Sequence, residues 1–175
     1  MFWNRRGDNI AALFIPCYLR SPMRLQQFQV AVVSETKKQL PRALKNFQAR
    51  TQFTLFKIFY TNPRTHYEVG VRGQERLIEV GLHFEDDKAR NDELLAYFQA
   101  RAFEIHAELG PRVEVEQWTN SWSRVHEVVP YQSLDENLVA AVAEKLTQMI
   151  TMLEPMLRGY KKPRPAKKRV ARKKK

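Results

Sequence analysis

The sequence predicts an α+β fold: an antiparallel sheet of two hairpins covered by helices on one face, followed by a disordered basic C-terminal tail. Three observations lead there. Residues 66–84, "HYEVGVRGQERLIEVGLHF", alternate polar and apolar side chains on either side of a polar turn, the period-2 pattern of a hairpin with one buried face. Two later segments repeat apolar residues at helical spacing, as amphipathic helices do. The chain ends in "KKPRPAKKRVARKKK", which holds no acid and no aromatic residue.

In the hairpin, Tyr67, Val69 and Val71, then Ile78, Val80, Leu82 and Phe84, share the inner face. The next stretch, "EDDKARNDELLAYFQARAFEIHAELGP", reads as one helix. Carboxylates suit its N-terminal turn, Leu94, Leu95, Phe98, Ala102, Ile105 and Leu109 make its apolar stripe, and Gly110-Pro111 stops it. "RVEVEQW" and "SRVHEVVPY" then form a second hairpin around "TNSW", with Val113, Val115, Val125 and Val129 inward. A Ser133/Glu136 capping box opens the last helix, whose stripe is Leu138, Val142, Leu146, Met149, Ile150 and Leu153; Pro155 and Gly159 close it. Before the first hairpin the pattern is less regular: residues 37–49 predict a helix, and "TQFTLFKIFYTNP" suits a strand or a buried helix. The expected organisation is thus a basic, helical N-terminal segment packed on the domain (1–64), an α+β core (65–157) and a disordered Lys/Arg-rich tail (158–175).

An apolar content of 43% over 175 residues is enough for one ordinary core. The charge is unevenly placed. Of 30 Lys/Arg and 19 Asp/Glu, residues 158–175 hold 11 basic and no acidic, which leaves 19 of each sign in residues 1–157. Within that neutral body, residues 1–64 balance at +9 (11 basic against Asp8 and Glu35) and residues 65–157 at −9 (8 basic against 17 acidic). Cys17 is the only cysteine, so an intramolecular disulfide or a cysteine-based zinc site is excluded. "IAALFIPCYL" is too short to span a bilayer and is broken by Pro16. The expected location is cytoplasmic, nucleoid-associated in a bacterium, with no membrane partner.

The tail is the strongest functional signal. Its cations, Arg158, Lys161, Lys162, Arg164, Lys167, Lys168, Arg169, Arg172, Lys173, Lys174 and Lys175, are interleaved with proline and alanine, a composition that buries too little apolar surface to offset the entropy of ordering. Such a segment binds polyanions by releasing condensed counterions, without reading sequence. The basic first third also interleaves Arg and Lys with Phe2, Trp3, Tyr18, Phe28 and Phe47, aromatics of the kind that stack on bases, although an ordinary helix also turns its charges outward and its aromatics inward.

On the outward face of the hairpins fall His66, Glu68, Glu79, His83, Glu114, Glu116 and His126. Their spacing is not that of a metal motif, and strand alternation by itself demands polar residues there, so a solvated face with no metal or other cofactor is the expectation. A nuclease core needs an acid and a Glu-x-Lys on adjacent strand positions; "IEVGLHFED" offers Glu79-Val80-Gly81 and no lysine. No phosphate-binding loop, dinucleotide fingerprint or nucleophile elbow is present. Trp118 and Trp122 flank "TNS" as an exposed stacking pair or as a clasp closing the hairpin against the adjacent helix.

The order hairpin, acidic-start helix ending "ELG", "VEVEQW", "SRVHEV" and closing helix resembles an uncharacterised α+β domain found at the C-terminal end of predicted bacterial nucleases and defence proteins. The resemblance covers residues 65–157, brings no catalytic residue, and implies DNA-associated biology. The expected function is a non-enzymatic nucleic-acid-binding protein, DNA before RNA, with a homo-oligomer or a protein as further partner and no small-molecule substrate. The alternatives are a nuclease-associated or metal-dependent enzyme component delivered to DNA by the tail, and a protein-interaction module.

Overall fold

The structure, a computed structural model, describes residues 23–161. Helix α1 (Leu25–Gln39) leads through a single 3-10 turn (Arg42–Leu44) into strands β1 (Gln48–Gln52) and β2 (Leu55–Phe59). Strands β3 (Thr65–Arg72) and β4 (Leu77–Phe84) follow, then helices α2 (Lys88–Gln99) and α3 (Ala102–Leu109), strands β5 (Glu114–Gln117) and β6 (Ser123–Pro130), and helix α4 (Glu136–Gly159). All six strands form one antiparallel sheet in the order β1-β2-β3-β4-β6-β5. The α+β class therefore holds, and the sheet is larger than two hairpins. Among the described residues, no helix is long and apolar enough to cross a membrane.

The additional strands come from the segment for which residues 37–49 predict a helix. Pro41 prevents it: a residue before proline is pushed out of the helical region, and Leu40 accordingly sits at φ −60°, ψ 144°, just after α1 ends. The chain beyond is then free to pair, and "TQFTLFKIFYTNP" resolves as strand because Phe56 and Ile58 fill the core while Lys57 points to the opposite face.

The period-2 reading of β3 and β4 holds residue by residue. Tyr67, Val69, Val71, Ile78, Val80, Leu82 and Phe84 are buried in one cluster with Phe28 and Val32 of α1, Leu94 and Phe98 of α2, Ile105 of α3, and Val142, Leu146, Met149, Ile150 and Leu153 of α4. Helix α4 lies against both α1 and the central strand β4.

Two helix boundaries differ from the expected ones, and α4 ends at Gly159 as expected but runs through Pro155. The segment after β4 is two helices, broken at Ala100-Arg101. There the Arg101 N–H turns to the Phe98 carbonyl, and the Arg101 guanidinium donates instead to the Tyr97 carbonyl while stacking on the Tyr97 ring. Pro155 does not end α4, which continues to Gly159; a proline removes one helical hydrogen bond, and packing of Leu153 and Leu157 with the Glu154–Arg158 pair holds the last turn. The N-cap of α4 is Asp135, not Ser133: the Asp135 carboxylate accepts from the Leu138 N–H at 2.9 Å, and the Ser133 hydroxyl donates to that same carboxylate at 2.6 Å.

These two hydrogen bonds hold the Asp135 carboxyl below its usual range. Asp135→Ala is expected to lower stability by about 1 kcal/mol, the usual value of a helix cap, with a smaller loss for Ser133→Ala. Equal losses in denaturant melts of the two variants would contradict this assignment.

Candidate functional site

The strand face opposite the core is built by the same alternation, and the register decides what meets there. Lys57 on β2 pairs with Glu68 on β3, Glu68 with Gly81 on β4, Gly81 with His126 on β6, and His126 with Glu114 on β5. The neighbouring row runs His66, His83, Arg124, Glu116 over the same strands β3 to β5. Two cross-strand ladders of titratable side chains thus lie next to each other.

Gly81 makes this possible. A Cβ there would lie 2.6 Å from His126 Cβ and 2.8 Å from the Val125 carbonyl oxygen, so only glycine lets His126 close over β4, where its Nδ1 comes within 3.9 Å of Glu79.

The expected solvated face is not what forms. His66, His83, His126, Glu68, Glu79 and Arg124 are all buried, His66 and His83 almost completely (0% and 1% exposed). Long neighbours cover them: Lys57 bridges Glu68 (3.4 Å) and Glu85 (3.0 Å), and Trp118 meets the His83 ring edge-on at 5.6 Å with the Arg124 guanidinium 5.1 Å above its own ring. The tryptophans do not clasp the hairpin against the adjacent helix: Trp118 lies on this outer face with Trp122 tilted beside it at 5.9 Å, and both stay exposed.

The face divides into two parts. Around Arg124 most groups are paired: its guanidinium donates to Glu79 (2.6 Å) and to Glu116 (2.7 and 3.0 Å), Arg72 also holds Glu79, and His126 Nε2 lies 3.0 Å from Glu116, leaving only His126 Nδ1 without a hydrogen bond. Burial alone would push the Glu79 carboxyl up. The facing His83 imidazole and the charges of Arg124 and His126 outweigh this and hold it at about 2. For His126, burial and then the Arg124 charge win over the two carboxylates and lower its pKa.

The other part is less satisfied. His66 Nδ1 bonds to the Pro63 carbonyl at 2.9 Å, but its Nε2 has no hydrogen-bond partner, and neither does either nitrogen of His83. His66 Nε2 faces Glu68 at 3.4 Å and Glu85 at 3.9 Å; His83 Nδ1 is 4.0 Å from Glu85, and its Nε2 is 3.3 Å from Glu79 without hydrogen-bond alignment. Each buried polar group left unpaired costs about 1–3 kcal/mol, so three adjacent imidazole nitrogens without partners are an expensive feature for a merely structural cluster.

Of the seven polar residues read from the sequence, all lie on this face. Sequence reasoning missed Lys57, Arg72, Glu85 and Arg124. Lys57 was marked by being the single charge between apolar residues in "LFKIF", and Arg124 and Arg72 by sharing strand parity with His126 and Glu68; Glu85 lies one residue past the strand, where alternation no longer applies.

The basic residues read as a phosphate-binding surface are mostly elsewhere. Lys162, Arg164, Lys167, Lys168, Arg169, Arg172, Lys173, Lys174 and Lys175 lie outside the described residues, as do Phe2, Trp3, Tyr18 and Cys17. Arg158 is held on the domain by Glu154 at 2.8 Å and lies over the Tyr60 ring, while Lys161 borders an open cleft with Tyr97, Arg101, Tyr160 and Glu93. Phe28 is core rather than a stacking platform, and Phe47 packs edge-on against Tyr60.

No known protein family, curated protein or solved structure matches the chain.

Proposed function

We propose that the protein is a non-enzymatic nucleic-acid-binding protein whose cationic C-terminal segment makes sequence-independent contacts to phosphate backbones. The observation that carries the reading is the placement of charge: 11 basic and no acidic residues in the last 18, joined to a body with 19 of each sign. Charge so concentrated acts on polyanions through counterion release.

A second observation supports the reading. Where α4 ends and this segment begins, the domain carries a cleft of about 600 Å³ lined by Tyr97, Arg101, Tyr160 and Lys161 with Glu93. Tyr97 and Tyr160 meet edge-on at 5.0 Å, with Arg101 on one ring and Arg90 on the other. Aromatic rings beside cations suit a nucleobase next to its phosphate. The resemblance of residues 65–157 to a nuclease-associated domain points to DNA as the first partner to try.

The test replaces the nine Lys/Arg of residues 162–175 by Gln in the full-length chain, so that α4 and the Tyr160 packing are untouched. Binding to duplex DNA, single-stranded DNA and structured RNA is then followed over a salt series. The unaltered protein is expected to lose affinity with a log–log slope of roughly −0.9 per duplex phosphate contacted, and the neutralised one to lose most of both slope and affinity. Binding that survives neutralisation with its slope intact would refute the tail as the affinity element.

A further inference from the structure

We propose that His66, Glu68, His83 and Glu85 form a binding site for one divalent transition-metal ion of the zinc type. This goes beyond the nucleic-acid reading and does not depend on it.

The placement has a centre. His66 and His83 are direct cross-strand partners whose rings stack at 5.7 Å. Glu68 lies two residues beyond His66 on β3 and Glu85 two residues beyond His83 after β4, so in antiparallel strands the two carboxylates approach the imidazole pair from opposite directions. One ligand atom from each of the four lies within 4.8 Å of all the others. Tetrahedral zinc, with bonds of about 2.0–2.1 Å, holds its ligand atoms about 3.4 Å apart, so the set closes around an ion with side-chain shifts on the order of 1 Å.

The hydrogen bonds point the same way. The Pro63 carbonyl accepts from Nδ1 of His66, which fixes the tautomer and leaves the Nε2 lone pair facing Glu68 and Glu85. A backbone carbonyl on the far nitrogen is the usual support of a metal-binding histidine, and two carboxylates facing the other nitrogen call for a positive charge between them, a proton or a metal ion. His83, fully buried, makes no well-aligned hydrogen bond: its Nε2 faces Glu79 at 3.3 Å, and its Nδ1, 4.0 Å from Glu85, is the nitrogen left for an ion.

The charges leave room for such an ion. Among the side chains of this face, Lys57, Arg72 and Arg124 oppose five carboxylates, Glu68, Glu79, Glu85, Glu114 and Glu116. With neutral imidazoles the face is two positive charges short. The second grouping, Glu114, Glu116 and His126, is weaker, because Glu116 is already held by Arg124 and Glu114 is exposed.

Lys57 is the built-in competitor. Its ammonium bridges the two carboxylates and must swing aside when a metal enters. Removing it should therefore tighten the site, which a purely structural cluster would not do.

The experiment uses the full-length chain with Cys17→Ser, stripped with chelator and titrated with Zn²⁺ by calorimetry. One equivalent is expected to bind, raising Tm by about 5–10 °C at a hundredfold excess over Kd. His83→Gln and Glu85→Gln should each abolish stoichiometric binding, and Lys57→Met should tighten it about tenfold or more through loss of a nearby positive charge. Where His83→Gln does not fold, Glu85→Gln decides, since Glu85 lies past the strand end on the rim of the cluster. Absence of stoichiometric zinc binding, binding that survives Glu85→Gln, or binding lost instead with Glu116→Gln would each overturn the assignment.

Discussion

Gly81→Ala is expected to destabilise the protein by about 3 kcal/mol, the upper part of the range for overpacking a filled site. The added methyl would stand 2.6 Å from His126 Cβ and 2.8 Å from the Val125 carbonyl oxygen. Both obstacles belong to β6, which is hydrogen-bonded to β4 along its whole length, so no single side chain can rotate away to relieve them. Gly70 is the internal control: it lies on the same face one strand away, and a Cβ there meets only Glu68 Oε1 at 3.8 Å, an ordinary contact. Gly70→Ala should change stability by less than about 1 kcal/mol, within the range of unstrained Gly→Ala changes. Comparable losses from the two alanines in urea melts would show that the requirement at Gly81 is not steric.

Arg124→Met should have an effect as large or larger. The side chain is buried and donates to both Glu79 and Glu116; removing one partner of a buried pair leaves an uncompensated charge and typically costs about 3–5 kcal/mol. Methionine keeps most of the stem, so the loss would report on charge more than on volume. The double variant Arg124→Met/Glu79→Gln should recover much of it, because the stranded carboxylate goes with its partner; a double variant no better than the single one would be evidence against the ion-pair account.

The pH dependence has a definite sign. Glu79 is held at about 2 against an ordinary 4.5. Its charged form thus adds stability that is fully present above pH 4.5 and lost as pH falls towards 2. Without Arg124 the Glu79 pKa rises, so the deficit of the variant should be greatest above pH 4.5 and narrow below it.

Much of this architecture was legible in the chain, and the reason differs between elements. Alternation in residues 66–84 identified β3 and β4 and the inward set from Tyr67 to Phe84, because side-chain direction along a strand depends only on residue parity. The apolar spacing in α4 placed Val142, Leu146, Met149, Ile150 and Leu153 in the core for the analogous helical reason. The segment before Thr65 misled because β1 has all five side chains exposed and so shows no apolar pattern; only its partner β2 makes it a strand. Ser133 and Asp135 both have capping side chains, and two residues of difference in the helix start decided between them.

By itself the sequence determined the α+β class, the two parities of the central strands, the seven polar residues of the outer face, and the concentration of positive charge in the last 18 residues. Each of these is a property of composition or of local periodicity. The tertiary structure decided which polar residues meet. Strand order and register are set by long-range pairing, and here they put His66 beside His83, His126 over Gly81, and Lys57, Glu85 and Arg124 among residues distant in the chain. Burial was decided there too: parity says that a side chain leaves the core, but only the neighbours it finds on the other face decide whether it reaches water.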